Sequence, residues 1–189
     1  MLIANILIVI VFSTIYIARQ NYEFLIYIAV IIAFLLIILA TNKKVDYPDS
    51  VLWRLTLWAF LHMAGGNIEV GDGRLYDLIL IPLSVTYQVF RYDQLVHIIG
   101  FGISTHIMYH LLKPLLQPKL KGIVSLSIVV VMAGLGVGAF NEIVEFIVSI
   151  LVPNSGVGGY INTSADLVAD LVGALIALAI ILWKDQPRR

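Results

Sequence analysis

The chain has 189 residues, of which 60% are hydrophobic and 13% are charged, whereas soluble domains are nearer ~45–50% apolar and ~25% charged. This composition excludes a disordered protein and a nucleic-acid-binding protein with a basic face, and it argues against a soluble enzyme. It indicates a single integral membrane domain over residues 1–189. The formal net charge is zero and there is no cysteine, which excludes disulfides, thiolate nucleophiles and cysteine-ligated metal sites.

Apolar segments predict an all-α fold, a polytopic membrane bundle of six transmembrane helices, because a spanning helix needs about 20 mostly apolar residues. In chain order the predicted spans are 2–18, 24–40, 51–66, 95–112, 122–152 and 166–183. The first segment lacks the basic start and cleavage site of a signal peptide, so we expect a retained helix. The fifth would be ~46 Å long, and we expect it to tilt, protrude or bend at Gly134, Gly136 or Gly138.

One further apolar segment, 76–90, is short for a span and contains Pro82. We predict that it is re-entrant or interfacial; a seventh span and a buried loop are the alternatives. Six spans leave most of the basic residues on one side of the membrane, namely Lys43, Lys44, Lys113, Lys119, Lys121, Lys184, Arg188 and Arg189. The opposite side holds Arg19, Arg74 and Arg91. The positive-inside rule therefore predicts a multi-pass plasma-membrane protein with both termini in the cytoplasm.

Five acidic residues fall within or beside the predicted spans, where a charge costs at least ~2.5 kcal/mol and usually has a function. They are Asp93, Glu142, Glu145, Asp166 and Asp170. Counting helical rise from the span ends places all of them near the outer leaflet, at the level of His62 and His97. Most other acidic residues lie in predicted loops or tails and are interpreted as solvated, namely Glu23, Asp46, Asp49, Glu69, Asp72 and Asp185.

The spacing of these groups predicts a shared site. Asp93 and His97 are four positions apart, as are Asp166 and Asp170, and Glu142 and Glu145 are three apart; each pair therefore lies on one helix face. Facing carboxylate pairs do not all ionise without a cation or bound protons. Carboxylates and imidazoles at these spacings build divalent metal sites in helical bundles.

We therefore predict a metal site with the ligands Asp93, His97, Glu142, Glu145, Asp166 and Asp170, and Zn²⁺, Mn²⁺, Fe²⁺ or Mg²⁺ as the ion. Glu142 or Glu145 would act as the general base. Further candidate members are His62, Tyr76, Asp77, Asn141 and Asn162. A buried hydrogen-bond network and an ion or substrate permeation path remain as alternatives. His106 and His110, a second helical pair, are interpreted as interhelical hydrogen-bonding residues, and Arg54 as a residue that reaches the interface.

Four sequence blocks in order resemble the YjdF-like inner-membrane family of uncharacterised proteins. They are Leu61-His62-Met63-Ala64-Gly65-Gly66, Tyr92-Asp93-Gln94-Leu95-Val96-His97 with Gly100-Phe101, Asn141-Glu142-Ile143-Val144-Glu145-Phe146, and 166–174. The last block is also similar, more distantly, to the VanZ-like group. The chain departs from the family pattern at Asn67, Ile68 and Phe146, at the rim of the site. The resemblance implies a six-helix membrane protein and implies no reaction.

The first functional hypothesis is a membrane-embedded, metal-dependent hydrolase. Its substrate would be a lipid or an envelope precursor, and the VanZ-like similarity is the reason for the latter. A small transporter or proton-coupled carrier is the second, although no inverted repeat is visible. A structural membrane protein with a buried polar network is the third. The expected partners are the lipid bilayer and a lipid-like substrate, with no nucleic acid; the sequence does not predict the oligomeric state.

Overall fold

The computed structural model describes residues 1–84, 87, 90–116 and 122–184, and it consists of six α-helices and one small hairpin. The helices are α1 (Leu2–Ala18), α2 (Tyr22–Val45), α3 (Asp49–Asn67), α4 (Tyr92–Leu112), α5 (Ile123–Leu151) and α6 (Tyr160–Lys184). The hairpin pairs β1 (Glu69–Val70) with β2 (Gly73–Arg74) in antiparallel register. The predicted all-α bundle is therefore correct, apart from two strands of two residues each.

Each predicted span corresponds to one helix, but several helices extend beyond the apolar run. The clearest case is α6, which begins at Tyr160 rather than 166 because its first turn carries polar residues that a hydropathy window leaves out. Four helices are long and apolar enough to cross a membrane, namely Tyr22–Val45, Tyr92–Leu115, Ile123–Leu151 and Tyr160–Lys184. The chain is thus a helical membrane protein; α1 is shorter, α3 is not among the four, and six crossings stay a prediction.

Close packing of α4 against α6 sets the centre of the bundle. A Cβ atom on Gly173 would lie 2.3 Å from the Ile98 carbonyl oxygen, so this position admits only glycine at the observed separation. Ala174 and Ala177, on the same face of α6, are fully buried. Small residues let helix backbones approach closely, and this approach brings the polar residues of the two helices into contact.

Glycines of α5 allow close packing with neighbouring helices, and the predicted tilt, protrusion or bend of this helix stays a prediction. Helix α5 is continuous from Ile123 to Leu151. A Cβ on Gly134 would lie 1.9 Å from Oγ1 of Thr105, and one on Gly138 would lie 2.2 Å from Oδ2 of Asp170. Two of the three glycines therefore make room for side chains of α4 and α6.

The apolar segment 76–90 forms an irregular loop. Its first residues belong to a short 3-10 turn (Leu75–Asp77), and the chain then pairs Ile79 with Arg91 in an isolated bridge. Among its described residues there is no further helix, so a seventh spanning helix is not formed there, and side chains such as Ile81 and Leu83 are exposed rather than buried. Four positions of this segment, Val85, Thr86, Gln88 and Val89, lie outside the described residues. A re-entrant or interfacial placement stays a prediction.

Consecutive helices run in opposite directions, so the bundle has two chemically different ends. The end at which α3 finishes and α4 and α6 begin is called the site end below. The opposite end, called the basic end, contains Lys43, Lys44, Lys113 and Lys184. Five residues counted at the sequence level, Lys119, Lys121, Asp185, Arg188 and Arg189, lie outside the described part of the chain. Which end faces the cytoplasm stays a prediction.

Candidate functional site

His97 lies at the centre of the site end, buried on α4 between two carboxylates. Its Nδ1 atom donates to Oδ1 of Asp170 on α6 over 2.8 Å. Its Nε2 atom lies 3.7 Å from Oδ1 of Asp93, one turn earlier on α4. Asp170 is 0% exposed. The two ring nitrogens therefore have different surroundings: one is engaged by a buried carboxylate, and the other points to the more open side of the cluster.

Side-chain amides hold the carboxylate of Asp166 in place. Gln94 on α4 donates to Oδ1 and Asn162 on α6 donates to Oδ2, both over 2.5 Å. Asn162 also lies 3.3 Å from Oδ2 of Asp93. The predicted participation of Asn162 agrees with this geometry, and Gln94 was missed. Its signal was available, because Gln94 is a polar residue one turn before His97 in the same apolar helix.

The two glutamates of α5 differ in their partners. Oε1 of Glu145 accepts a hydrogen bond from Asn141 over 2.8 Å. Both carboxylate oxygens of Glu142 are buried, and no hydrogen bond of regular geometry from a described residue reaches them, although the side chains of Asn141 and Thr163 lie near enough to interact with this carboxylate. Oδ2 of Asp170 is likewise buried without a regular hydrogen bond from a described residue. A buried carboxylate oxygen without a partner is costly. Glu142 therefore needs a proton or a cation at this position.

The structure brings the predicted ligands into two overlapping groups of three. Asp93, His97 and Asp166 form one group, and His97, Glu142 and Glu145 form the other. In each group one ligand-type atom per residue lies within 4.8 Å of the others. Asp170, the sixth predicted ligand, is in neither group. It contacts His97 through Nδ1, the ring nitrogen that does not face Asp93.

A polar cavity of about 450 Å³ adjoins this cluster. Three residues of the site, Asp93, Glu145 and Asn162, line it. Glu142 is not among its wall residues. The rest of the wall comes from the start of α2, the end of α3, the hairpin, the loop after it and the loop before α6, so the cavity lies at the site end. The remaining polar side chains on this wall are Glu23, Tyr27, His62, Glu69, Asp72, Arg74, Tyr76, Asp77 and Arg91.

The interpretation of Glu23 as a solvated loop residue is wrong. It lies in the first turn of α2 and is 5% exposed. Its Oε2 atom accepts from Arg74 over 3.0 Å and from the backbone nitrogen of Gly156 over 2.8 Å. It therefore ties the hairpin and the loop before α6 to the bundle, over the cavity. The sequence could not show this, because both loops are distant from Glu23 in the chain.

His62 forms a separate pair with Tyr76 on the cavity wall. The hydroxyl of Tyr76 hydrogen bonds to Nδ1 of His62, and the imidazole stacks on Trp58 with ring centroids 5.4 Å apart. Burial raises the pKa of Tyr76 well above its usual value, and the nearby Asp93 and Glu145 raise it further. The phenol therefore stays protonated and can donate to His62. Neither residue belongs to the two groups of three.

The other predicted members take peripheral positions. Asp77 accepts from the backbone nitrogen of Arg74 over 3.3 Å and lies 3.5 Å from Nη1 of Arg91, at the rim of the cavity.

At the basic end, His106 and His110 line a separate cavity of about 160 Å³ with Arg54, Lys113 and Lys184. Nδ1 of His106 forms a hydrogen bond with the Gly102 carbonyl oxygen over 3.1 Å. This hydrogen bond lies within α4 and is not the interhelical one that was predicted.

The helical residues of the site and of the polar cavity come from helices α2 to α6. A family model covers all of these helices and α1 as well. The model described as "Predicted membrane protein (DUF2238)" matches residues 1–186. The chain belongs to this family. No curated protein and no solved structure matches the chain. The DUF2238 assignment agrees with a membrane protein of the kind expected from the YjdF-like blocks; the VanZ-like relationship stays a prediction.

Proposed function

We propose that this DUF2238 protein is a membrane-embedded enzyme in which the acidic cluster around His97 binds one divalent metal ion and hydrolyses a bond of a lipid-like substrate. The main support is the position of Glu142. Its two oxygens are buried and receive no hydrogen bond of regular geometry from the described residues, and they lie next to an imidazole that belongs to both groups of three. A divalent cation would satisfy these oxygens and offset the repulsion among the carboxylates.

The surroundings of His97 suggest which nitrogen binds the ion. Metal-binding histidines usually donate their other ring N–H to a carboxylate, which fixes the tautomer, and Asp170 accepts from Nδ1 at 2.8 Å. Nε2 is then the ligand atom. It lies 3.7 Å from Oδ1 of Asp93, close to the separation of about 3.4 Å expected for two ligands 2.0–2.1 Å from one tetrahedral ion. In this assignment Asp170 is a positioning residue rather than a ligand.

The two glutamates then take different roles, which the sequence left open. Glu142, whose buried oxygens lack regular hydrogen bonds from the described residues, would be a ligand together with His97. Asp93 and Asp166, which are grouped with His97 but not with Glu142, would complete the ligand set by small movements toward the ion. Glu145 lines the cavity, where a substrate would enter. A bound ion would lower the pKa of a coordinated water molecule, to near ~7 for Zn²⁺ in a suitable site. Glu145 lies on the correct side to accept that proton, as a general base requires.

One nitrogen and several carboxylate oxygens make a ligand set that suits Zn²⁺, Mn²⁺ or Fe²⁺ and also admits Mg²⁺. The positive-inside rule predicts that the site end lies at the outer face of the plasma membrane. A substrate approaching from that side would be a lipid or a precursor of the cell envelope.

Metal content tests the proposal directly. We expect the detergent-purified protein, incubated with Zn²⁺, Mn²⁺ or Mg²⁺ and then desalted, to hold about one ion per chain by elemental analysis. The double variant Asp93→Asn/Glu142→Gln should lose that ion, because it removes two ligands. The matched control Asp46→Asn/Asp49→Asn removes the same charge from exposed positions at the basic end and should retain it.

The variants must first be shown to be folded, by circular dichroism and a monodisperse elution profile. No metal in the wild-type protein with any of the three ions would reject the metal site. The cluster would then be a protonated carboxylate network, and the structural and proton-coupled alternatives would replace hydrolysis. Equal metal loss in the control variant would also count against the assignment, since the ion would then be held by general surface charge.

A further inference from the structure

We infer that the protein binds a phospholipid, with one hydrocarbon chain in an apolar groove between α2, α3, α4 and α5 and the head group in the polar cavity. The inference deepens the proposed function, on which it rests for the role of the head group. The presence of a chain in the groove does not depend on a metal ion. This surface is called the acyl groove below.

The acyl groove is a partly enclosed apolar space of about 120 Å³. Its size is similar to that of the ~150 Å³ apolar cavities that stay dry and admit benzene. Side chains of four helices form its walls, among them Ile31, Phe34, Trp58, Ile107, Val137 and Val144. A dry space of this shape accepts hydrocarbon and excludes water.

The acyl groove and the polar cavity share two wall residues, Tyr27 and His62. The two spaces are therefore neighbours on either side of these two side chains, one polar at the site end and one apolar in the bundle. A molecule with a polar head and an apolar chain would match both parts if the Tyr27 and His62 side chains let the chain pass between them. The cluster of carboxylates lies beside the polar part, where bonds near the head group would be presented.

The length of the acyl groove fits one chain of one leaflet. Along α2 it extends from Tyr27 to Ile38, which is about 16 Å of helix. Half of a ~30 Å hydrocarbon core is ~15 Å. Phe34 of α2 and Phe140 of α5 contact edge to face at 6.1 Å beside the groove, and both are partly exposed on the outside of the bundle. These two rings therefore form the bilayer-facing wall of the groove, and a chain that enters sideways would have to displace one of them.

Lipid retention in native mass spectrometry tests the inference. The probe is 1-palmitoyl-2-oleoyl phosphatidylcholine, added to protein that has been treated with a chelator. We expect one bound lipid per wild-type chain. Val137→Trp, which fills the groove, should lower the bound fraction at least ~10-fold. Val129→Trp makes the same change on α5 at a residue that is 51% exposed and outside the groove, and it should retain the lipid.

A second measurement detects the chain in the groove by fluorescence. In a Trp53→Phe/Trp183→Phe background, Trp58 is the only tryptophan. We expect chain-brominated phosphatidylcholine vesicles to quench its emission strongly, and Val137→Phe to reduce the quenching where Val129→Phe does not. No bound lipid, equal loss in both tryptophan variants, or an unquenched Trp58 would overturn the inference.

The outcomes separate the two proposals because the lipid is measured without metal. Metal at His97 with an empty groove would reject only the lipid assignment. Lipid in the groove, together with no bound Zn²⁺, Mn²⁺ or Mg²⁺, would reject only the metal site. The protein would then be a lipid-binding protein.

Discussion

Side chains of the site differ in how many of their polar atoms have hydrogen-bond partners. His97 is held by Asp170 on one nitrogen and is open on the other. Asp166 has both oxygens engaged by amides, whereas neither oxygen of Glu142 receives a hydrogen bond of regular geometry from a described residue. Residues with the same charge therefore have different chemical capacities. The proposed roles of ligand, base and positioning residue follow from these differences.

Asp170→Asn separates a positioning role from a ligand role. The amide loses the negative charge that holds the N–H on Nδ1 of His97, so Nε2 becomes a poorer ligand. We expect metal affinity to fall about 10–100-fold, as is typical when an outer partner of a ligating histidine is changed. The measurement is competition with a metal-binding dye, compared with Glu142→Gln, which should lose more.

Two results would contradict this role for Asp170. Affinity equal to that of the wild-type protein would show that its contact with His97 does not support metal binding. Loss as complete as in Glu142→Gln would make Asp170 a ligand, as the sequence alone predicted. Asp46→Asn, an exposed aspartate at the basic end, is the matched control and should leave affinity unchanged.

At the level of elements, the close approach of α4 and α6 positions the site. His97 and Asp170 can lie 2.8 Å apart only because Gly173 lets the two backbones meet. Gly138 on α5 likewise leaves space for the Asp170 carboxylate. The small residues therefore act on the chemistry through geometry rather than through contact with a ligand.

Gly173→Ala should both destabilise the protein and weaken metal binding. The added methyl group would lie 2.3 Å from the Ile98 carbonyl oxygen, so the helices must separate, and overpacking of this kind costs about 1–3 kcal/mol. We expect a thermal midpoint several degrees lower in detergent. Gly136→Ala is the matched control, because an added Cβ there meets no described atom within 4 Å. Equal midpoints for the two variants would contradict this account of the packing.

The sequence predicts elements better than it predicts contacts between them. Hydropathy located all six helices, since burial in lipid requires long apolar runs. Helical spacing also placed Asp93 with His97 and Glu142 with Glu145 on shared faces. It could not show that Gln94 reaches Asp166, or that Glu23 is buried under two loops, because those contacts depend on how distant segments pack. It also treated Asp170 and Asp166 as equivalent, and only their partners distinguish them.

For the whole molecule, the separation of charge between the two ends carries the functional argument. Carboxylates gather at the site end, and the described lysines lie mostly at the basic end. This asymmetry is the basis for placing the site at the outer face of the membrane. It depends on whether α3, which is not among the four long apolar helices, crosses the bilayer.

Cysteine labelling can decide this, because the chain has no cysteine of its own. Lys43 lies at the end of α2, and Asp72 lies in the exposed turn of the hairpin after α3. If α3 crosses, the two positions are on opposite sides. We expect Asp72→Cys to react with a membrane-impermeant maleimide in intact cells, and Lys43→Cys to react only after permeabilisation. Reaction of both in intact cells would show that α3 does not cross, and the six-span plan would be wrong. The reverse labelling pattern would keep the crossing of α3 but place the cluster at the cytoplasmic face. The site would then reach lipids or precursors of the inner leaflet instead of the outer one.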